Sequence, residues 1–193
     1  PNLIIHFFDH SKVMPNLQRI IALFVFSLIA VAVTACGSSE MAEDDGISKV
    51  TPTDTTYAID DLIAMGFKMN KTYDVEGLTE ATGAYYGFWG LGSYDRSEFE
   101  VRFYSTHSDA VEFGTAFADE RTGTNAILKE RDLTWSEGAK DARACTGSCS
   151  VSKYGDYVIY GNLILLCQGR DSTTALAQCA LLINTLSSIS PKA

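Results

Sequence analysis

The sequence predicts an α+β fold, in which helices pack on an antiparallel sheet of about four strands within a single domain. Two strand pairs can be recognised, one around Phe99–Tyr104 and one around Gly161-Asn162, and a helical pattern follows each of them. The element order is therefore ββα, an irregular middle, and ββα again. Consecutive hairpin strands usually lie side by side, so the two strands of each pair are expected to be neighbours.

The composition is that of a folded globular protein. Of the 193 residues, 46% are hydrophobic and 20% are charged, which argues against a disordered chain and against a polytopic membrane protein. The charges comprise 15 Lys+Arg and 24 Asp+Glu, a net charge of −9. Proteins that bind nucleic-acid phosphates usually carry a basic face, and no basic stripe is visible. We therefore expect no nucleic-acid partner.

The first unit begins with a short helix expected over Tyr57–Met65, which Gly66 closes. Ala84–Trp89 is rich in aromatic residues and predicts a strand. Phe99–Tyr104 alternates apolar and polar side chains, so the two sets should occupy opposite faces of the sheet. The apolar set is Phe99, Val101 and Phe103, and the polar set is Glu98, Glu100 and Arg102.

A helix is expected after this strand. Thr106 and Asp109 resemble a capping box, with Asp in place of the usual Glu or Gln. The helix should run to about Arg121 and end near Gly123, and the polar second half of residues 124–150 predicts a loop. The buried stripe of the helix should be Ala110, Phe113, Gly114 and Phe117.

The second unit opens with a predicted β-hairpin. Gly161-Asn162 separates Tyr154–Tyr160 from Leu163–Gln168, and such a pair predicts a two-residue turn that begins with glycine. Leu163–Leu166 is apolar at every position, which is typical of a central strand that is covered on both faces.

The last expected element is a helix that Asp171 or Ser172 caps and that ends near Ser187. Asp and Ser are favoured at the N-cap because their side-chain oxygens accept hydrogen bonds from the free amides of the first turn. The inner stripe of this helix should be Leu176, Cys179, Ala180, Ile183 and Leu186.

The beginning of the chain predicts export. The first methionine is Met14, so residues 1–13 are interpreted as an upstream non-native or wrongly assigned segment. Residues 14–35 contain one positive charge, at Arg19, and then an apolar run to Ala35, which is the layout of a secretory signal peptide. A membrane-spanning helix needs ~20 apolar residues, so a resident transmembrane helix is the weaker interpretation.

Val33-Thr34-Ala35-Cys36 ends this run with an aliphatic residue, two small residues and a cysteine. It resembles the lipobox of bacterial lipoprotein precursors, and the chain as a whole resembles small bacterial lipoproteins that carry a domain of unknown function. The resemblance implies cleavage before Cys36 and acyl chains, such as palmitate, on the new N-terminal residue. Ordinary signal cleavage after Ala30-Val31-Ala32 is the alternative.

The lipid assignment divides the rest of the chain. Residues 36–55 are polar, acidic and poor in aromatic side chains, so they are expected to form a flexible tether behind the anchor. Residues 56–193 should form the globular domain. Two or more acyl chains hold a protein stably on a membrane. The expected location is therefore the outer face of the cell membrane or the outer membrane.

The other cysteines are expected to form disulfides, because exported proteins occupy a compartment where disulfides persist. We predict the pairs Cys145–Cys149 and Cys167–Cys179. A four-cysteine zinc site is disfavoured because the spacing matches no zinc ribbon or finger. A redox pair is disfavoured because the usual spacing is Cys-x-x-Cys. No metal is expected.

Signatures of catalysis are scarce. His107 is the only histidine after Cys36, and no Gly-x-Ser-x-Gly elbow occurs. We assign no catalytic residue and no cofactor, and the sequence leans away from an enzyme. The paired acids are interpreted as solvated surface: Asp60/Asp61, Asp74/Glu76 and Asp119/Glu120.

Aromatic side chains of the first strand pair are the best candidates for ligand binding. Alternate residues of a strand face opposite sides, so one set of rings should point away from a helix-covered face. Exposed rings bind carbohydrate or apolar ligands, and the alternative is that these rings are core and sheet-edge cover. The candidate platform is Tyr85, Tyr86, Phe88, Trp89 and Tyr104.

Together these observations predict a lipid-anchored extracytoplasmic protein that is a binding or envelope-associated module. Its partner could be a small molecule, a glycan or an envelope protein. The alternative is a small envelope hydrolase that uses acidic residues on a sugar or peptide. That activity needs two carboxylates in a cleft, one of them with a raised pKa.

Overall fold

The computed structural model describes residues 46–141 and 151–189, which form a mixed α+β fold around one six-stranded sheet. The strands are β1 (Val50–Thr51), β2 (Lys68–Tyr73), β3 (Ala81–Trp89), β4 (Ser97–Tyr104), β5 (Tyr154–Tyr160) and β6 (Leu163–Gln168). The helices are α1 (Ile59–Ala64), α2 (His107–Asp109), α3 (Thr115–Asp119) and α4 (Ser172–Ile189), with a π-helical turn at Ala110–Gly114 between α2 and α3. Two short 3-10 turns follow at Glu130–Asp132 and Glu137–Asp141.

The sheet has the strand order β1-β5-β6-β4-β3-β2, and every neighbouring pair is antiparallel except β1 and β5. The expected count of about four strands is therefore wrong, because β1 and β2 were not recognised. β1 is too short to show a pattern, and it lies within residues 36–55, which were expected to form a flexible tether. The pairing of Val50 and Thr51 with β5 places that part of the segment in the sheet. In β2 every side chain except that of Tyr73 is exposed, so the strand lacks the apolar alternation that marks a half-buried strand.

Both faces of the sheet are covered. On the first face, α4 packs against β5 and β6, and the side chains of Phe99, Val101 and Phe103 lie in the same core, as expected. On the second face, residues 107–141 (the covering segment) pack against the sheet. Ala110 and Trp135 are buried members of the cores on that face.

β6 is the central strand that its sequence predicts. It pairs with β5 on one side and with β4 on the other, and each residue from Leu163 to Cys167 is buried. Side chains that alternate along β6 enter both cores, Leu165 on the first face and Ile164 on the second. An apolar residue at every position is therefore a consequence of burial on both faces.

The first helix begins at Ile59, two residues later than expected, and the predicted starts of the other two helices are confirmed. The Thr106 hydroxyl accepts a hydrogen bond of 3.1 Å from the Asp109 amide at the start of α2, and an Asp171 carboxylate oxygen accepts one of 2.8 Å from the Thr174 amide in α4. The π-helical turn ends at Gly114, where a Cβ atom would collide with Ile164 and with the Tyr104 ring. Glycine at this position lets the helical segment lie directly on the sheet.

The hairpin between β5 and β6 is also confirmed. Gly161 has a φ of +56°, a conformation that glycine adopts without steric cost, and it opens the two-residue turn. Its amide donates a 2.9 Å hydrogen bond to the Thr51 carbonyl, so the turn also holds β1 in the sheet.

Cys167 and Cys179 form the predicted disulfide, which joins the end of β6 to α4 within the first core, with the two Cα atoms 5.7 Å apart. Cys145 and Cys149 lie outside the described residues, as do Cys36 and the predicted signal peptide. Within the described parts of the chain, none of the helices has both the length and the apolar character that a bilayer span requires.

Candidate functional site

Glu100 and Arg102 form an ion pair in the interior of the second face. Both side chains are fully buried, and Glu100 Oε1 lies 2.7 Å from Arg102 Nε and 2.6 Å from Arg102 Nη2. Sequence analysis placed both residues on the face opposite the core, and the structure puts them on that face. It is nevertheless not a solvent face, because the covering segment packs over it and places the Trp135 ring 5.1 Å from the Arg102 guanidinium carbon.

Arg121 brings a second buried guanidinium close to this ion pair. Its Nη1 donates to the Ile127 carbonyl at 3.0 Å, and its Nη2 donates to the Gly138 carbonyl at 2.7 Å. Burial lowers the pKa of Arg121, while the nearby Glu100 carboxylate opposes that shift. The side chain thus ties two distant parts of the covering segment together above the Glu100–Arg102 pair.

Several polar atoms of this interior cluster have no hydrogen-bond partner among the described residues. Such atoms are costly in a protein core and are commonly satisfied by internal water. They are Glu100 Oε2, Arg102 Nη1, Arg102 Nη2 (which is ion-paired with Glu100 but makes no hydrogen bond), Arg121 Nε and the hydroxyls of Tyr104 and Tyr154. The cluster is closed to bulk solvent, so we assign it the role of holding the covering segment rather than that of a ligand site.

A second polar network lies at the border of the second face. The Tyr86 hydroxyl and the Lys153 ammonium both donate to the same Glu98 carboxylate oxygen. Burial raises the pKa of Tyr86, and the hydrogen bond to Glu98 raises it further. Tyr86 therefore keeps its proton near neutral pH and is a poor candidate for a general base.

Asp141 joins the end of the covering segment to β2 in the same region. Its carboxylate accepts hydrogen bonds of 2.7 Å from Lys71 and from the Tyr73 hydroxyl. Burial raises the pKa of Asp141, but the hydrogen bonds from Lys71 and Tyr73 outweigh burial and leave the pKa below its usual value. Burial together with the Glu100 and Asp141 carboxylates raises the pKa of Tyr73. These groups fasten the covering segment and show no sign of acid–base activation.

A surface cleft of about 510 Å³ opens where β5 begins and α4 starts; we call it the polar cleft. Its walls come from four separate parts of the chain and carry the carboxylates of Asp119, Asp156 and Asp171, together with Lys49 and Ser172. Hydroxyl, carboxylate and ammonium groups thus converge in one open concave site, which is the arrangement expected for a polar ligand.

Asp156 is the most constrained carboxylate of the polar cleft. Lys49 Nζ donates to its Oδ1 at 2.7 Å, the Tyr157 amide donates to the same oxygen at 2.8 Å, and Ser172 Oγ donates to its Oδ2 at 2.6 Å. Burial raises the pKa of Asp156, but the hydrogen bonds from Lys49, Ser172 and Tyr157 outweigh burial and lower the pKa. Asp156 is therefore ionised near neutral pH.

The other two carboxylates are held as well. Asp119 Oδ1 accepts a hydrogen bond of 2.8 Å from the Tyr157 hydroxyl. Asp171 caps α4, and hydrogen bonds from the backbone and side chain of Thr174 lower its pKa. A general acid needs a carboxyl whose pKa is raised, and the lowered pKa values of Asp156 and Asp171 do not meet this need.

Residues 46–141 and 151–189 contain no group of three His, Cys, Asp or Glu side chains that is arranged to bind a metal ion. The carboxylates of the polar cleft are instead engaged by Lys49, Tyr157 and the start of α4. The cleft therefore presents hydrogen-bonding groups rather than a set of metal ligands.

The candidate aromatic platform does not form one surface. Trp89 and Tyr104 are 4% and 1% exposed, and the Trp89 indole N–H donates to the Met65 carbonyl at 3.2 Å. Tyr85 borders the first-face core together with Trp89, whereas Tyr86 and Phe88 pack on the second face. The structure divides these rings between the two faces of the sheet, and ligand binding by them stays a prediction.

The polar cleft was missed by sequence analysis because its residues are far apart in the chain. Asp119 appeared only as one of the paired surface acids, and Asp171 only as a helix cap. His107, the histidine that sequence analysis considered, lies elsewhere: its Nδ1 is 2.8 Å from the Gly161 carbonyl oxygen. No local motif marks the cleft, so only the packing of β5 against α4 and α3 reveals it.

A protein-family model for a family of unknown function (DUF6810) matches residues 58–188, well over half of the chain. Neither the comparison with curated proteins nor the comparison with solved structures finds a significant match.

Proposed function

The chain belongs to the DUF6810 family of unknown function, and from its own chemistry we propose that it is a lipid-anchored extracytoplasmic protein whose polar cleft binds a hydroxyl-rich ligand such as a saccharide. It acts as a binding module at the cell envelope, without chemical turnover of that ligand.

The observation that carries this proposal is the set of carboxylates that line the polar cleft. An ionised carboxylate can accept hydrogen bonds from adjacent hydroxyl groups, and the cleft holds Asp119, Asp156 and Asp171 in one concave surface. Lys49 and Ser172 already fix the orientation of Asp156, so little conformational freedom is lost when a ligand binds. This combination matches the many donors and acceptors of a sugar.

Export is supported by two features of the chain. Val33-Thr34-Ala35-Cys36 resembles a lipobox, which implies an acylated Cys36. The buried Cys167–Cys179 disulfide is typical of proteins that fold in an oxidising compartment. The protein would then reside at the outer face of the cell membrane or at the outer membrane, where envelope glycans are abundant.

A small envelope hydrolase is the second candidate, because several carboxylates line a single cleft. Hydrolysis of a glycosidic bond needs one carboxyl that is protonated near neutral pH. Asp156 and Asp171 both have lowered pKa values, which favours binding over hydrolysis.

Titration of the full chain in detergent with chitooligosaccharides, glucans and galactans tests the ligand class. We expect at least one of these to bind, and Asp156→Asn to weaken its affinity at least tenfold. Asp54→Asn, which alters an exposed aspartate that does not line the polar cleft, is the matched control. Binding that is insensitive to both Asp119→Asn and Asp156→Asn would contradict the proposed site, and release of reducing ends would favour the hydrolase.

Replacement of the lipobox cysteine tests the location. Cys36→Ser should abolish labelling with a palmitate analogue and release the protein from the membrane fraction, because it removes the sulfur to which the lipobox directs the acyl chains. Ser38→Ala, which keeps the Cys36 thiol and leaves the Cys167–Cys179 disulfide intact, serves as the control. Labelling that persists in Cys36→Ser would refute the lipid anchor.

A further inference from the structure

The loop between β3 and β4 presents the two most exposed large apolar side chains of residues 46–141 and 151–189. Tyr94 is fully exposed, and Leu91 is 75% exposed. The loop is a compact turn: the Asp95 amide donates to the Gly92 carbonyl at 3.4 Å, and a Cβ on Gly90 would collide with the Asp95 backbone. The exposed side chains are thus displayed on a short, closed hairpin tip.

This loop lies at the end of the sheet where the N-terminal segment enters the fold. β1 is parallel to β5, and the pairing of Val50 with Ile159 places the preceding residues beside the beginning of β5. The antiparallel pairings from β5 through β6 and β4 to β3 put the end of β3 at this same end of the sheet. Lys49, which contacts Asp156, confirms the direction in which the chain enters.

The distance from the proposed anchor is short. Nine residues lie between Cys36 and Gly46, and an extended chain spans at most ~3.6 Å per residue step, so the ten steps can reach at most ~36 Å. Four strand spacings separate β1 from β3, which amounts to ~20 Å at the usual spacing of ~4.8 Å. The β3–β4 loop is therefore able to reach the bilayer surface that holds the acyl chains.

The surroundings of the loop suit a lipid headgroup layer. Lys68, at the start of β2, and Arg96, at the end of the loop, are exposed and lie at the same end of the sheet, where the loop also carries one exposed acid, Asp95. Tyrosine is favoured at membrane interfaces because its ring is apolar and its hydroxyl is polar. Basic side chains beside an apolar tip can contact lipid phosphates while the tip enters the interface.

We propose that Leu91 and Tyr94 insert into the headgroup region of the membrane that carries the lipid anchor, with Lys68 and Arg96 at the phosphates. This proposal rests on the acylation of Cys36. The anchor keeps the loop close to the membrane and so raises its effective concentration there. A loop–membrane contact that is too weak to recruit the free protein can therefore form in the anchored protein. The docked loop sets the orientation of the domain, and the polar cleft, which opens at the same end of the sheet, then faces the membrane side.

Fluorescence quenching by brominated lipids tests the proposal on the full acylated chain in phosphatidylglycerol–phosphatidylethanolamine vesicles. Trp89 and Trp135 are buried, so they supply a constant background. We expect Tyr94→Trp to be quenched by bromine on the upper acyl chain and to shift its emission to the blue on vesicle binding. Val111→Trp, at an exposed position of the covering segment, is the matched control and should stay unquenched.

The outcomes separate the docking from the anchor. If the protein does not co-float with vesicles, the acylation of Cys36 and the docking both fail. If it co-floats but Tyr94→Trp is quenched no more than Val111→Trp, the anchor stands and the docking is refuted. Iodide quenching of Tyr94→Trp should also be measured without vesicles at increasing protein concentration. Loss of iodide quenching would refute the membrane docking, because a second copy of the protein would then cover the loop.

Discussion

The side-chain amide of Asn162 is hydrogen-bonded to both backbone polar groups of Tyr57. Asn162 Oδ1 accepts from the Tyr57 amide at 2.7 Å, and Asn162 Nδ2 donates to the Tyr57 carbonyl at 2.9 Å. The same Nδ2 donates to the Tyr104 carbonyl at 2.9 Å. A turn residue between β5 and β6 thus fastens the segment before α1 to the end of β4, and it is 4% exposed.

Asn162→Ala should destabilise the protein by about 3 kcal/mol, because it leaves buried backbone groups of Tyr57 and Tyr104 without partners. Urea denaturation measures the change in the free energy of unfolding. Asn184→Ala, at an exposed position of α4, is the control and should change stability by less than ~0.5 kcal/mol. Equal losses in the two variants would show that the Asn162 bonds are not important.

Removal of both partners of the buried ion pair should cost less than the two single removals added together. Glu100→Leu or Arg102→Met alone leaves a buried charge without its partner and should cost about 3–5 kcal/mol. The double variant should cost clearly less than the sum of the two single losses, and a double-mutant cycle of unfolding free energies measures this coupling. Glu112→Gln, an exposed change on the covering segment, is the control. Additive losses would contradict a direct interaction.

Trp89→Ala should act as a core substitution. Its ring is buried between β3 and α1, so its removal leaves a cavity and should cost about 3–5 kcal/mol. Tyr94→Ala removes a fully exposed ring and should change stability by less than ~0.5 kcal/mol. A Trp89→Ala protein that keeps its thermal stability but fails to bind a saccharide would instead support ligand binding by the aromatic platform.

Acid should remove the stabilisation that comes from Asp156. Its pKa is lower in the folded protein than in the unfolded chain, so the stabilisation is present above the unfolded pKa of ~3.9 and is lost as the pH falls through the folded value. Because Lys49 is partly exposed, we expect Asp156→Asn to cost only ~0.5–1 kcal/mol at pH 7. Urea denaturation at several pH values should show this difference shrinking toward pH 3; a difference that grows in acid would contradict it.

Local sequence patterns were sufficient to predict the elements that are specified by residues adjacent in the chain. The Gly161-Asn162 turn, the Asp171 cap and the apolar run of β6 all follow from neighbours in sequence. β2 escaped recognition because its edge position leaves most of its side chains in solvent. β2 is held by its backbone pairing with β3 and by the contacts of Lys71 and Tyr73 with Asp141. Neither backbone hydrogen bonds nor these long-range contacts produce a recognisable pattern within the β2 sequence.

The candidate site depended on long-range packing. Lys49, Asp119, Asp156 and Asp171 come from four distant positions, and each of them alone has an ordinary local explanation. Their convergence arises because α3 ends, β5 begins and α4 begins at the same end of the sheet. No spacing rule within one element contains that information.

The amino-acid sequence by itself determined the α+β class and the hairpins, because these depend on short-range periodicity and turn chemistry. It also predicted the Cys167–Cys179 pair, because the lipobox resemblance implies export to a compartment where disulfides persist. The tertiary structure decided that Glu100 and Arg102 are interior and that the carboxylates share a cleft. Whether a residue is buried depends on all the elements that pack against it. The alternation in β4 reveals that two faces exist, but only the path of residues 107–141 determines that the second face is closed to water.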